Sequence, residues 1–368
     1  MSTVKTKILI ITVRADHGGG PRHIYLLLRN LFQDFEFYIA CPKEDPYYGI
    51  FSEIVEKERI FTIPHRKFTI KDYLKLKQIV KISDINIIHS HGKGAGIYSR
   101  LLTRSTKIPS IHTFHGIHIG SYNSLSKFLY LRIERYLSRF TNKFITISDS
   151  EKNKIVSLRI AKKNNIVLIP NGVEITESKV NTDVFSKEKL DLVTITRFDY
   201  QKNSELIAEI CTHIKSYGLL NKFQIQLIGD GPEFSKVKAL AEQNGLSGSL
   251  KFIGFTSSPS EYLIDSFCYI STSRWEGLPL GVMEAMSLGV PVIATNVSGN
   301  CDLVEHLVNG FLFDLNKPEE AAKYIIQLAD NKEQWKQFSE NARAKIIKGY
   351  SEQIMAEKTK QLYSSFWK

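Results

Sequence analysis

Two carboxylates, Glu276 and Glu284, are separated by seven residues in the segment Trp275-Glu276-Gly277-Leu278-Pro279-Leu280-Gly281-Val282-Met283-Glu284. Pro279 is a natural first residue for a helix running on through Ala285 to Leu288, so Glu276 is expected in the loop before that helix and Glu284 inside it. Backbone N–H groups at Leu280, Gly281 and Val282, with the helix dipole behind them, make an anion site suited to a phosphate. A carboxylate on either side of such a site can accept hydrogen bonds from sugar hydroxyls, one from a transferred sugar and one from a ribose. A capped amphipathic helix with incidental acids is the plainer reading, but Gly277, Pro279 and Gly281 crowd one turn. A second segment, Thr196-Arg197-Phe198-Asp199-Tyr200-Gln201-Lys202, closes an apolar run and directs two cations, Arg197 and Lys202, away from a strand end. Cations there neutralise a diphosphate leaving group, and their effect grows as charge builds up in the transition state.

Three weaker signals lie in the first half. Gly18-Gly19-Gly20-Pro21-Arg22-His23 follows an apolar run and opens a helix, and glycines let backbone amides approach a phosphate, although a plain tight turn has the same composition. Histidines cluster as His89-Ser90-His91-Gly92 and as His112-Thr113-Phe114-His115-Gly116-Ile117-His118. Neither cluster has a neighbouring carboxylate or the i, i+4 placement that converges two imidazoles on a helix, so no metal is expected there. No D-x-D triplet occurs, which is the usual way to hold a divalent cation under a diphosphate; Arg197 and Lys202 are expected to take that role.

These segments need a scaffold that presents strand ends. With 368 residues the chain is too long for one ordinary core and suits two domains facing each other across a cleft. In the first half, strand-like runs are Lys7 to Val13, Phe35 to Cys41, Ile60 to Ile63, Ile85 to His89, Pro109 to Phe114, Lys143 to Ser148 and Ile166 to Ile169. In the second they are Leu192 to Thr196, Phe223 to Gly229, Leu250 to Gly254, Phe267 to Ser271, Val290 to Thr295 and Gly310 to Phe313. Helical periods lie between them, so the fold class is α/β, two doubly wound parallel sheets that bind ligands at the carboxyl ends of their strands. The polar stretch Ile175 to Asp191 reads as a linker. The expected boundaries are 1–175, 176–350, and a terminal helix, 351–368, that can return to the first domain.

Charge is unevenly placed. The net +11 resides in residues 1–175, which hold 28 Lys+Arg against 14 Asp+Glu, so the first domain is expected to meet something anionic. Cys41, Cys211, Cys268 and Cys301 show neither disulfide nor zinc spacing. No run approaches the length of a membrane span, and the apolar start is too short for a signal peptide, which points to the cytoplasm.

The E-x7-E segment, with the strand Val290 to Thr295 after it, resembles the signature of the family 4 retaining glycosyltransferases, whose two Rossmann-like domains form the GT-B fold. The Arg197/Lys202 segment resembles that family's G-R-x-x-x-x-K-G motif, with Thr196 and Asn203 where glycines are usual. Gly18 to His23 resembles its G-G-x-x-x-H opening. Matches to Ile147-Ser148-Asp149-Ser150, Ile169-Pro170-Asn171-Gly172-Val173, Gly229-Asp230-Gly231-Pro232 and Phe252-Ile253-Gly254-Phe255 follow in the family's order. The loop Ser298-Gly299-Asn300-Cys301-Asp302 departs from it. The resemblance implies that Glu276 contacts the donor sugar and Glu284 the ribose. It also implies that His115-Gly116 lines the sugar pocket, that Gly19 and Gly20 face the donor, and that Gly254 meets the base. It further implies front-face attack without cofactor or metal, from a UDP-hexose or UDP-N-acetylhexosamine to a glycan or polyprenyl-linked acceptor of surface polysaccharide synthesis, capsule or lipopolysaccharide. A sugar-nucleotide epimerase or phosphorylase shares this architecture, whereas a nucleic-acid binder lacks any recognised motif here.

One more stretch bears on the acceptor. Tyr122 to Lys143 sets Leu125, Phe128, Leu129, Ile133, Tyr136, Leu137 and Phe140 at helical spacing, with Lys127, Arg132, Arg135 and Arg139 on the remaining surface. The pattern fits a basic amphipathic helix resting on the inner face of an anionic membrane, and equally a helix packed on a core. The basic run from His65-Arg66-Lys67 through Lys71, Lys75, Lys77 and Lys81 adds to the positive field.

Overall fold

Runs such as Ile8-Leu9-Ile10-Ile11 and Val292-Ile293-Ala294 lack the polar alternation of a half-exposed strand, and each of these residues is fully buried. They are central strands of parallel sheets covered on both faces. The computed structural model describes residues 5–117, 122–180, 182–256 and 258–367, and the chain divides into unit 1, Met1–Gly172 with Glu352–Lys368, and unit 2, Val173–Ser351.

Unit 1 holds a seven-stranded parallel sheet. Its strands are β1 (Lys7–Thr12), β2 (Glu36–Cys41), β3 (Ile60–Thr62), β4 (Ile87–His91), β5 (Ser110–Thr113), β6 (Lys143–Thr146) and β7 (Ile166–Leu168). They lie in the order β3-β2-β1-β4-β5-β6-β7. Alternation along β1 sends Ile8 and Ile10 into one core and Leu9 and Ile11 into another, one on each face. The first face is covered by the helices Gly19–Leu31 and Tyr47–Ile54 together with Glu352–Ser364, which contributes Met355, Ala356, Leu362 and Tyr363. The second is covered by Ile70–Ile82 and Lys93–Thr106. A buried ion pair, Arg100 Nη1 to Glu134 Oε2 at 2.8 Å, ties the latter to the helix Ser124–Leu137.

Unit 2 holds β8 (Leu190–Ile195), β9 (Phe223–Ile228), β10 (Leu250–Gly254), β11 (Cys268–Ser271), β12 (Val292–Thr295) and β13 (Gly310–Phe313), in the order β10-β9-β8-β11-β12-β13. In each sheet the order reverses beside the first strand, between β1 and β4 and between β8 and β11. Such a switch point splays the two flanking connections to opposite faces and opens a crevice at the strand carboxyl ends. The polar stretch expected as a linker is partly structured. Val180 and Val184 are buried, and the Val180 amide donates to the Leu288 carbonyl at 2.7 Å. Val180, Val184 and Phe185 are spread among polar neighbours and are too few to set a period, which is why the sequence reads as unstructured there.

Candidate active site

In unit 2 the switch-point crevice contains a polar recess lined by Thr196, Lys202, Tyr269, Ser273, Pro279 and Gly281. Its walls are the end of β8, the end of β11 and the first turn of the helix Leu280–Leu288. Lys202 Nζ donates to Glu276 Oε1 at 2.6 Å, and Ser273 Oγ donates to the same oxygen at 2.6 Å. The Lys202 backbone is anchored as well, since Thr272 Oγ1 donates to its carbonyl at 3.0 Å and its amide donates to Asp199 Oδ1 at 3.0 Å. The Lys202–Glu276 pair is mostly withdrawn from water, with the Glu276 side chain 7% exposed.

The helix behaves as the sequence predicts, with Pro279 at its N-cap and Gly289 in the left-handed region at its end. The amides of Leu280, Gly281 and Val282 stand in its first turn and have no intrahelical acceptor. Gly281 has a packing reason: a Cβ there would stand 2.5 Å from the Tyr269 hydroxyl, which donates to the Ile195 carbonyl at 3.0 Å. Burial raises the Tyr269 phenol pKa, and Glu284 and Glu276 push it further in the same direction, so both carboxylates act on one point. Glu284 is half-buried one turn into the helix, and Gly277 lies in the loop before it.

Two expected donor residues of this unit border the recess without lining it. Arg197 is 46% exposed and ion-paired to Asp199. Gly254 ends β10 with φ at +80° and accepts the Gly229 amide on its carbonyl at 2.8 Å. Both occupy the strand-end edge of the sheet. Tyr269 and Ser273 were not flagged by sequence; the position of Ser273, three residues before Glu276 and just past a buried strand, is the signal that could have found it.

In unit 1 the switch point gathers imidazoles. His91 Nδ1 lies 3.0 Å from His115 Nε2, and the His23 ring centroid lies 4.9 Å from that of His115 and 5.4 Å from that of His91. His89 Nδ1 lies 2.6 Å from the Tyr363 hydroxyl, and His23 Nδ1 lies 3.0 Å from Asn171 Oδ1. The expectation that these histidines do not converge is corrected. Neighbouring strands β4 and β5 and the helix after β1 bring them together, a proximity with no counterpart in sequence spacing. One nitrogen from each of His23, His91 and His115 falls within a common 4.8 Å, a spacing compatible with a metal ion. Gly20 sits against this group, where an added Cβ would be 3.8 Å from His115 Cδ2, and Gly19 is the first residue of its helix. Gly116 follows with φ at +99°, its amide held by Glu151 Oε1 at 2.5 Å, while Glu151 Oε2 takes the Ile147 amide at 2.9 Å. Glu151 was missed, although Ser148 with a Glu three residues on is a capping-box pattern. His118 lies outside the described residues.

Burial lowers the His23 pKa from 6.5 to about 4 against a raising hydrogen bond from Asn171, and burial with the neighbouring His23 lowers His89 to about 3. His91, His112 and His115 are lowered in the same direction, first by burial. The folded state therefore keeps these rings neutral while the unfolded chain takes up protons below its ordinary value. Stability is full above pH 6.5 and is lost as pH falls toward the folded values. His23 alone contributes on the order of 3 kcal/mol to that loss. Thermal melts taken downward from neutral pH are expected to fall steeply below pH 6.5, and a flat melting temperature down to pH 4 would contradict neutral burial.

Residues 17–177 match the Glycosyltransferase Family 4 model, and residues 176–345 match that of Glycosyl transferases group 1. The chain is similar to the Escherichia coli UDP-Gal:α-D-GlcNAc-diphosphoundecaprenol α-1,3-galactosyltransferase, 26% identical over 346 residues, covering 90% of this chain and 89% of the relative. It is similar also to the capsular polysaccharide biosynthesis glycosyltransferase CapH of Staphylococcus aureus, 23% identical over 82% of this chain and 84% of that one. Among solved structures, Anabaena HepE in complex with UDP and glucose superposes with a TM-score of 0.84 at 18% identity, over 98% of this chain and all of the other. That likeness establishes the GT-B fold.

Proposed function

The chain belongs to the glycosyltransferases, as a Glycosyltransferase Family 4 domain continued by a group 1 domain, and from that premise we propose that it moves a hexosyl or N-acetylhexosaminyl group from UDP to a hydroxyl of a lipid-linked glycan, with retention at the anomeric carbon. The observation that carries this reading is the convergence of Lys202, Glu276 and the Gly281 helix start on one recess at the switch point of unit 2. A cation and a helix N-terminus facing the same small space suit a diphosphate, and the carboxylate beside them suits a sugar hydroxyl. The Escherichia coli relative uses UDP-Gal and a diphosphoundecaprenol-linked GlcNAc and forms an α-1,3 bond. That similarity supports a UDP donor, a polyprenyl carrier and an α product.

In this mechanism the bond between the anomeric carbon and the β-phosphate oxygen breaks while the acceptor oxygen approaches the same face of the sugar. The acceptor proton passes to the departing phosphate oxygen, so the products are UDP and a glycosylated acceptor. Lys202, Arg197 and the amides of Leu280, Gly281 and Val282 stabilise the charge that develops on that oxygen. With Oε1 held by Lys202 and Ser273, Glu276 offers Oε2 to the sugar, and Glu284 takes a ribose hydroxyl. Gly277 lets the loop turn beside the sugar, and Gly254 presents backbone to the base. In unit 1 the family resemblance supports His115 and Gly116 for the transferred sugar, and Gly19 and Gly20 for the donor. No step uses a divalent ion or cofactor, so EDTA should leave turnover unchanged.

The test is a panel of UDP-sugars with a polyprenyl-diphosphate-linked acceptor, following UDP release and the anomeric configuration of the product. UDP released only with acceptor present, and an α-linked product, support the reading. Interconversion of the sugar without transfer favours an epimerase, and a β-linked product ends the claim of retention.

A further inference from the structure

We propose that the outward face of the helix Ser124–Leu137 docks unit 1 on an anionic phospholipid bilayer. The sequence pattern fitted either a core-facing or a membrane-facing helix, and the structure separates the two. The helix buries Leu131, Glu134 and Leu137, one stripe at three-residue spacing. Leu125, Phe128, Leu129, Ile133 and Tyr136 lie on the half of the helix turned away from that stripe and are each between 46% and 68% exposed. A single exposed apolar side chain is ordinary, but five contiguous ones on one face form a surface that water solvates poorly.

The charge on the same face identifies the occupant. Glu134 is the one acid of the helix, and it is turned inward against Arg100, so the outward surface carries cations alone: Arg132 and Arg135, followed by Arg139. The Arg132 guanidinium lies 5.7 Å from the Phe128 ring centroid and that of Arg139 lies 6.0 Å from that of Tyr136. Stems thus run along apolar surface with their charges at its margin, the disposition of side chains that snorkel at a headgroup layer. At the carboxyl end of the helix, Arg104, Lys107 and Arg139 border a cavity of about 190 Å³ that also includes Phe140, Thr141 and Asn142. Arg104 Nη1 donates to the Tyr136 hydroxyl at 3.2 Å, which joins the cavity to the apolar stripe. Three cations around an open recess, next to an apolar face, match a lipid phosphate next to its acyl chains. Among the described residues no helix is long and apolar enough to cross a membrane, so the contact lies in the interface plane.

The experiment uses the full chain and vesicles without any nucleotide, so its outcome is independent of the donor reading. Sedimentation with phosphatidylcholine vesicles containing phosphatidylglycerol is expected to pellet the protein, and pure phosphatidylcholine vesicles to leave most of it in solution. Phe128→Ser with Leu129→Ser and Ile133→Ser should lower partitioning by on the order of 10-fold. Arg104→Gln with Lys107→Gln and Arg139→Gln should remove the preference for phosphatidylglycerol and the weakening by salt. All six positions lie at the surface or on an open cavity, and melting curves check that the variants fold. Equal pelleting of wild type and both variants would overturn the proposal. So would a mass in vesicle-free solution that drops from dimer to monomer in the serine variant, because the face would then be a protein interface.

Discussion

Arg197→Gln is expected to lower kcat/KM for sugar transfer by on the order of 10²- to 10³-fold, the usual loss when one preorganised donor to a developing anion is removed. The melting temperature should stay within about 3 °C, because the Arg197 side chain is 46% exposed and Asp199, 19% exposed, keeps the hydrogen bond from the Lys202 amide. Glu276→Ala is a less clean probe than its place in a loop suggests. The Glu276 side chain is 7% exposed and holds both Lys202 and Ser273, so the substitution leaves a half-buried ammonium without its partner. That loss costs a few kcal/mol, and the variant should lose both transfer and several degrees of melting temperature. The discriminating measurement is a pair of melts and steady-state assays on the two variants. Normal turnover by Arg197→Gln would remove that cation from the leaving-group role.

Gly229→Ala should disable the same site without altering any of its side chains. Gly229 adopts φ of +126°, and an added Cβ would fall 1.9 Å from the Thr196 carbonyl oxygen. A backbone atom cannot move aside as a side chain does, so the loop that carries Arg197 and Lys202 must shift. That loop is latched at two further points: the Phe198 amide donates to the Asp230 carbonyl at 3.0 Å, and the Glu233 amide donates to the Phe198 carbonyl at 2.9 Å. Strain and overpacking together predict about 2–6 kcal/mol of destabilisation. Calorimetric UDP affinity should fall with it. Gly248→Ala is the matched control, since nothing lies within 4 Å of its added Cβ. If Gly229→Ala melts and binds UDP like Gly248→Ala, the latch is not what positions the loop.

The fold was legible because strands buried on both faces read as uninterrupted apolar runs, and short runs such as Ile60 to Thr62 or Val292 to Thr295 sit between longer helical periods. The helix after Glu276 was equally legible, since Pro279 and Gly289 mark its two ends. What the sequence hid is lateral. The meeting of His23, His91 and His115 depends on which strands are neighbours, and that order is set by packing rather than by any spacing in the chain. Lys202 and Glu276 meet across the β8–β11 switch point for the same reason, and their contact makes a nominally exposed acid a buried one. The helix Ser124–Leu137 shows the converse: its apolar spacing was plain, but the inward side is the stripe of Leu131, Leu137 and Glu134, the last paired with Arg100.

The return of Glu352–Ser364 to unit 1 also reverses the order in which the two halves can mature on the ribosome. Glu352 pairs with Arg29, and Met355, Leu362 and Tyr363 join Leu27, Leu31 and Phe35 in one core, with the Tyr363 ring against that of Phe35. Until those residues emerge from the exit tunnel, the nascent first half carries an uncovered greasy furrow and a His89 whose phenolic partner has not yet been synthesised. Unit 2, contiguous from Val173 to Ser351, suffers no such delay. Although translated later, it can close first, and the earlier half completes its interior only after that.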